Sequence, residues 1–241
     1  MITVILNCYK RPEYLQEQIQ AIKSQTIDVD DIWIWYNKPE SGDQYDLSSL
    51  GCKVITCNHN FKFHGRFALG LLAKTKYVAF FDDDTIPGDR WFENCLNTIE
   101  AGYNGILGTT GIYLHSDMYN PHQKYGWNSN LGGNNETVEV DLVGHAWFLE
   151  RNWLQYMWKE YPISWENGED IQLSAFSKIY GNIHTYVPPH PPNDQSLWGS
   201  TKGNYGNDTN ASHIKSNHTP LRNSIVNELI TKNQWQTVKN I

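Results

Sequence analysis

Three consecutive carboxylates, Asp82-Asp83-Asp84, end the apolar run Tyr77-Val78-Ala79-Phe80-Phe81 and lead into Thr85-Ile86-Pro87-Gly88. Adjacent carboxylates repel one another. A hard divalent cation turns that repulsion into attraction, because Mg²⁺ and Mn²⁺ prefer oxygen ligands and share carboxylates with substrate phosphates. The competing role is a solvated turn before the next helix, with Asp89 as the nearer cap. A second acidic group, Glu169-Asp170, opens a periodic stretch through Ile171, Leu173, Phe176 and Ile179. Carboxylates there can take a proton from a reacting group or simply favour a helix N-terminus through its dipole.

These groups need a scaffold, and the chain spells one out. Residues 2–6, 31–36, 53–56 and 77–81 are apolar, strand-like runs, each ending in polar residues. Helical periodicity lies between them, through Tyr14, Leu15, Ile19 and Ile22 behind Pro12, and again over residues 64–74 with Phe67, Leu71 and Leu72. Such βαβ alternation predicts an α/β fold with a mainly parallel sheet and helices on both faces. Its ligands belong beyond the carboxyl ends of the strands. Farther on, a helix is expected over 91–99, a strand at 106–108, a long excursion over 115–135, and two strands, 138–142 and 145–149, around a turn at Gly144. An aromatic helix over 151–159, the helix opened by Glu169-Asp170, a last strand over 183–187 and an amphipathic helix over 221–230 complete the pattern. The segment 188–220, broken by Pro, Gly, Asn, Ser and His, is expected to form a lid or an ordered meander.

With 241 residues, the chain is expected to form one domain, about 1–110 for one half and about 111–241 for the other. A formal charge of -7 disfavours nucleic acid and anionic membrane as partners. No apolar run has the length of a membrane span, and the opening residues lack a basic lead, so a cytoplasmic location is expected. Four cysteines without a CxxC pair suggest reduced thiols. The Asn-x-Ser/Thr triplets at Asn135, Asn207, Asn210 and Asn217 matter only in a secretory lumen. Ten Trp and fourteen Tyr are many for this length. Most suit a core, with Trp127, Trp147, Trp165 and Trp198 able to stack on sugars; Trp147 suits the core better and Trp165 is the one to test. Among His190, His213 and His218, His213 is the chosen third metal ligand, since imidazole binds Mn²⁺.

The order of these pieces resembles the GT-A glycosyltransferases, which transfer sugars from nucleotide diphosphates. The likeness rests on Leu6-Asn7-Cys8-Tyr9-Lys10-Arg11, Trp35-Tyr36-Asn37, Phe81-Asp82-Asp83-Asp84 as a DxD motif, and Gly168-Glu169-Asp170. It is similar to family 2-like enzymes and to exostosin-like catalytic domains, the latter through Val143-Gly144-His145-Ala146-Trp147-Phe148 and Arg222-Asn223-Ser224-Ile225-Val226-Asn227. The resemblance implies a Rossmann-like mixed sheet with a nucleotide-binding half and an acceptor-binding half. It implies that Asn7 and Arg11 lie beside the base and phosphates, Asn37 on the base edge, and Arg66 on the nucleotide. Asp82 and Asp83 would contact ribose and nucleotide, Asp84 would bind Mn²⁺ or Mg²⁺, and Arg222 would grip the diphosphate bidentately. Asp170 would serve as the catalytic carboxylate, with Glu169 beside it. The implied substrates are a nucleotide-sugar donor, UDP-sugar before GDP- or dTDP-sugar, and a carbohydrate or glycoconjugate acceptor. A nucleotidyltransferase making the nucleotide sugar, or a carbohydrate-binding module without turnover, are the alternatives.

Overall fold

The computed structural model describes residues 1–203, 205, 206, 208, 209 and 211–240. Asn207 and Asn210, which begin two of the Asn-x-Ser/Thr triplets, lie outside the described residues, as does Asn204 of the expected lid. One mixed sheet runs through both halves in the order β3-β2-β1-β4-β8-β5-β9-β7, with β6 on β5. Its strands are β1 (Ile2–Cys8), β2 (Asp31–Asn37), β3 (Lys53–Cys57), β4 (Tyr77–Phe81), β5 (Gly105–Leu114), β6 (His122–Gly126), β7 (Val138–Val140), β8 (Leu142–Glu150) and β9 (His184–Val187). β1 to β5 and β9 run one way, and β6, β7 and β8 run the other.

Both faces of the sheet are covered, as the uninterrupted apolar run of β4 demands. Val4 and Leu6 of β1 and Phe81 of β4 meet α1 (Leu15–Lys23) and α3 (Trp91–Glu100) on one face. Ile5, Val78 and Phe80 meet α2 (Gly65–Gly70), α4 (Leu154–Met157) and α5 (Glu169–Gly181) on the other. α6 (His218–Thr231) lays Ile225, Val226 and Leu229 against Ile171, Ala175 and Phe176 of α5. The strand order grows outward from β1 to β3 and then returns to β4 on the other side of β1. A crevice therefore opens at the carboxyl ends of β1 and β4, where Asp82–Asp84 emerge.

Several elements differ from their sequence pattern. Gly144 is no turn: it lies inside β8, whose run from Leu142 pairs with β4 and β5 along its length. The expected 115–135 excursion contains β6, and β5 continues to Leu114 to receive it. The helix expected over 64–74 is confined to Gly65–Gly70, and Leu72 beyond it is exposed. Cys8, Cys52, Cys57 and Cys95 are unbonded. No helix among the described residues is long and apolar enough to cross a membrane.

The Pro-rich segment after β9 is fastened rather than free. Trp198 O accepts from Gly88 N at 2.8 Å, and Ile86 O accepts from Thr201 N at 2.8 Å. His190, wholly buried, bonds Thr109 Oγ1 at 2.9 Å and donates from Nδ1 to the Pro188 carbonyl at 2.8 Å. Burial pushes the His190 imidazole down to about 4, below its ordinary 6.5. Between these values the unfolded chain binds a proton that the folded one refuses, so His190 withdraws stability as pH falls from 6.5 toward 4. The unfolding free energies of wild type and His190→Gln, measured by urea at pH 7 and pH 4.5, should converge with acidification. The full swing is on the order of 3 kcal/mol; a constant gap would contradict the assignment.

Candidate active site

A cavity of about 420 Å³ sits over the crevice and is lined by both acidic groups together. The Asp82–Asp84 turn is held from below by Gln18 of α1, whose Nε2 donates to the carbonyls of Asp82 at 2.6 Å and Thr85 at 2.9 Å. The Glu169–Asp170 pair begins α5 behind Gly168, which sits at φ +93°, a conformation glycine tolerates and most residues do not. That turn aims both carboxylates at the cavity.

Three guanidiniums compensate the acids. Arg11 bonds Asp83 Oδ1 at 2.8 Å, Asp84 Oδ2 at 3.0 Å and Asp208 Oδ2 at 2.8 Å. Arg66 is 1% exposed and joins Asp82 to Glu169, with the Glu169 contact at 3.4 Å and its guanidinium 4.8 Å from the centre of the Trp147 ring. Arg222 grips Asp170 bidentately, Nη1 to Oδ1 at 3.0 Å and Nη2 to Oδ2 at 2.7 Å, and also bonds Asn167 Oδ1 at 2.9 Å.

The compensation is uneven. Burial and the neighbouring Asp84 charge push the Asp83 carboxyl up to about 7 against the pull of Arg11. Asp84 is raised as well, by burial and by Asp82. Burial pushes Glu169 up to about 7, with the Asp170 charge adding to it, and its Oε2 is buried without a hydrogen-bond partner. Burial acts the same way on Asp170, but the charge and hydrogen bonds of Arg222 outweigh it and hold that carboxyl below its ordinary value. A cation at the Asp82–Asp84 turn relieves this crowding.

The residues for such a cation include one that the sequence pattern did not reveal. Ligand atoms of Asp82, Asp84 and His145 lie within 4.8 Å of one another. His145 enters because β8 runs antiparallel beside β4, pairing Phe81 with Ala146 and giving the His145 carbonyl to Asp82 N at 2.9 Å. Its backbone stands at φ +67°, strained for a residue with a Cβ. Its Nδ1 has no hydrogen-bond partner and lies 3.7 Å from Asp82 Oδ2. Two carboxylates and an unpartnered imidazole suit Mn²⁺ and, less readily, Mg²⁺.

His213, the expected third ligand, lines the cavity but stays exposed on the turn Ser212–Ile214, outside that group. Arg66, expected on the nucleotide, is enclosed by protein, and Arg222 holds a carboxylate in place of a diphosphate. Asn37, expected on a base edge, has its side chain engaged by Asn60 at 2.7 Å, by Phe61 N at 2.8 Å and by Lys62 O at 3.0 Å. Asn7 stands half-buried near the end of β1, and neither asparagine is among the cavity-lining residues. Trp165 is 53% exposed and turned toward His64, whereas Trp127 lines the cavity, edge-on to His145 at 5.0 Å between ring centres.

A mixed sheet with an acidic turn after β4 and a second acid pair opening a late helix defines the GT-A class of glycosyltransferase folds. The glycosyl transferase family 2 model matches residues 3–158, and the chain belongs to that family. Among the solved structures it resembles is the crystal structure of S. aureus TarS, at a TM-score of 0.51 and 13% identity, over 79% of this chain and 35% of that one. This likeness is one of fold, and the chain spans about a third of the TarS chain. No curated protein matches the sequence.

The Arg222–Asp170 bond is nearly dry, so removing one partner leaves a buried charge alone. Arg222→Ala should cost about 3–5 kcal/mol in urea unfolding at pH 7. The double variant Arg222→Met/Asp170→Asn should recover a large part of that loss. Equal losses in the single and double variants would show that the ion pair is not the source.

Proposed function

We propose that this chain is a metal-dependent glycosyltransferase that moves a sugar from a nucleotide diphosphate donor to a carbohydrate or glycoconjugate acceptor. The observation that carries the proposal is the one cavity shared by the Asp82–Asp84 turn and the Glu169–Asp170 pair. One end suits a cation and the other a proton. Asp82, Asp84 and His145 would hold Mn²⁺ or Mg²⁺, and the bound ion supplies positive charge that offsets the diphosphate as it leaves.

The nucleotide belongs at the carboxyl ends of β1 and β2. Asn7 and Asp83 face that end, and Asn37 acts by fixing Asn60, Phe61 and Lys62 along its edge. Arg11 sits between Asp83, Asp84 and Asp208, and an arriving diphosphate offers its planar fork the bidentate geometry that Asp208 now provides. Arg66 works from inside, keeping Asp82 and Glu169 at a fixed separation. UDP-sugar remains the favoured donor, with GDP- and dTDP-sugars as the comparison.

At the acceptor end, both Asp170 oxygens already accept hydrogen bonds from Arg222. Asp170 therefore stays negative and stabilises the oxocarbenium character that develops at the anomeric carbon. Glu169 Oε2 has no partner, and the carboxyl's raised proton affinity suits general-base work at neutral pH. The acceptor hydroxyl loses its proton to this acidic pair, whose titration belongs to the two groups jointly.

Two experiments test this division. Asp84→Ala should abolish metal-dependent release of nucleoside diphosphate while the thermal melt stays cooperative. His145→Ala should weaken Mn²⁺ binding about tenfold or more in calorimetry, with His213→Ala unchanged. Full metal-dependent turnover by Asp84→Ala would sink the metal assignment. Pyrophosphate release from a nucleoside triphosphate and a sugar phosphate would redirect the chain to nucleotidyl transfer. Second, the base must be unprotonated, so kcat should rise with pH through a limb near 7. Glu169→Gln should lose that limb, whereas Asp170→Asn, which removes a charge that raises Glu169, should move it to lower pH and slow turnover by about 10²-fold or more.

A further inference from the structure

The wall of the cavity opposite the Asp82–Asp84 turn is basic, in a chain whose formal charge is -7. Lys124 and His122 stand on one face of β6, two residues apart, and His218 begins α6 across from them. We propose that Lys124, His122 and His218, with the Thr219 N–H beside them, bind an anionic group, phosphate or carboxylate, carried by the acceptor. Assigning that group to the acceptor rests on Asp82 and Asp84 being the donor end.

Distance separates this wall from the donor phosphates. β6 is removed from β4 by β8 and β5, which at ~4.8 Å per strand puts the Lys124 strand about 14 Å from the strand bearing Asp82. A diphosphate held beside Asp84 would fall short of that interval. One acceptor ring bridges it.

The wall is a built site. Tyr119 is its centre: the Arg222 guanidinium lies 4.3 Å from its ring centre, the His122 ring 4.7 Å and the His218 ring 6.3 Å. A carbonyl can only accept, so His122 Nδ1 donates to Tyr119 O at 2.9 Å and Nε2 is left without a protein partner among the described residues. Lys124, half-buried, forms no ion pair with any carboxylate among the described residues, while the charge of Arg222 is committed to Asp170. α6 is fourteen residues long, and Asn217 before it makes no side-chain capping bond. In its first turn His218 N–H already bonds Lys215 O at 3.0 Å and Pro220 has no N–H, so Thr219, which lines the cavity, offers the remaining N–H to the site.

The imidazoles register a missing counter-charge. Burial lowers His122, and Lys124, Arg222 and His115 lower it further against the Tyr119 carbonyl. Burial and Arg222 push His218 down to about 4, with His213 and Lys124 adding and Asp170 alone opposing. An anion there would oppose these shifts and favour the charged, donating form of both rings.

Calorimetric titration of the full chain with glucose 6-phosphate, glucuronate and glucose, without metal, tests the site. A parallel titration with UDP and Mn²⁺ reads the donor end. At least one anionic sugar should bind tenfold or more tightly than glucose, and the preferred probe tells phosphate from carboxylate. Lys124→Gln should erase the preference and His122→Gln reduce it severalfold, with UDP–Mn²⁺ affinity unchanged within twofold. Equal binding of glucose and both anionic sugars overturns the proposal. So does a Lys124→Gln that weakens UDP as much as the anionic sugar, since the cluster would then serve the donor. If UDP fails to bind wild type while the charge preference persists, the donor assignment falls and the anion site stands.

Discussion

Arg11, Arg66 and Arg222 come from three distant parts of the chain and end in one crevice, each against carboxylates of the two acidic groups. Burying so many like charges costs several kcal/mol per ion unless each finds an opposite partner with good geometry. That requirement organises much of the structure. Arg11 ties the turn after β1 to the turn after β4, Arg66 ties α2 to the turn after β4 and to the start of α5, and Arg222 ties α6 to α5. The apolar cores supply the bulk of stability, but these bonds decide how the segments meet at the cavity. They also leave a residue of uncompensated negative charge at Asp83, Asp84 and Glu169, which is where a cation and a proton have work to do.

The cavity has two electrostatic ends. Acids cluster at the carboxyl end of β4, bases gather on β6 and the start of α6, and the Glu169–Asp170 pair stands between them. A cation held at the acidic end would offset a phosphate-bearing leaving group, while the basic wall would take an anion, so the two ends would offer two ligands different counter-charges within one cavity.

β4 could be read directly from the sequence because a strand covered on both faces has no polar positions, and its five apolar residues end abruptly at Asp82. α5 was equally plain, its acids and its 3.6-residue pattern agreeing on where it begins. β6 was hidden for the opposite reason: His122 and Lys124 line a polar cavity and Gln123 between them is polar too, so nothing apolar marks them as a strand. β5 was cut short by Gly108 and Gly111, which carry little strand signal. Gly144 has the look of a turn, yet β8 passes through it because β5 pairs with it there, Thr110 opposite Gly144. His145 was not among the histidines expected as a ligand, because its place beside Asp82 depends on a non-local fact, the antiparallel register that sets Ala146 beside Phe81. No local pattern encodes that register. The same holds for the guanidiniums: Arg66 and Arg222 were legible as functional cations, but their partners, Glu169 and Asp170, lie far off in sequence, and only the fold shows that carboxylates already occupy them.

The segment carrying Lys202, Tyr205 and Gly206 is fastened to α1, through Tyr205 stacked on Tyr14 at 4.1 Å and through Glu17, which bonds both Tyr205 at 2.7 Å and Lys202 at 3.0 Å. Gly206, at φ +78°, presses so closely on Asp84 that a Cβ there would come within 1.9 Å of its Oδ2. A backbone strap thus lies across the acids at rest, and its neighbouring residues, Ala211 and Ser212, are wall to the acceptor cavity. Tyr205 and Gly206 line the same cavity as Asp84, so a ligand bound at Asp84 would share its walls with one bound beside Ala211 and Ser212.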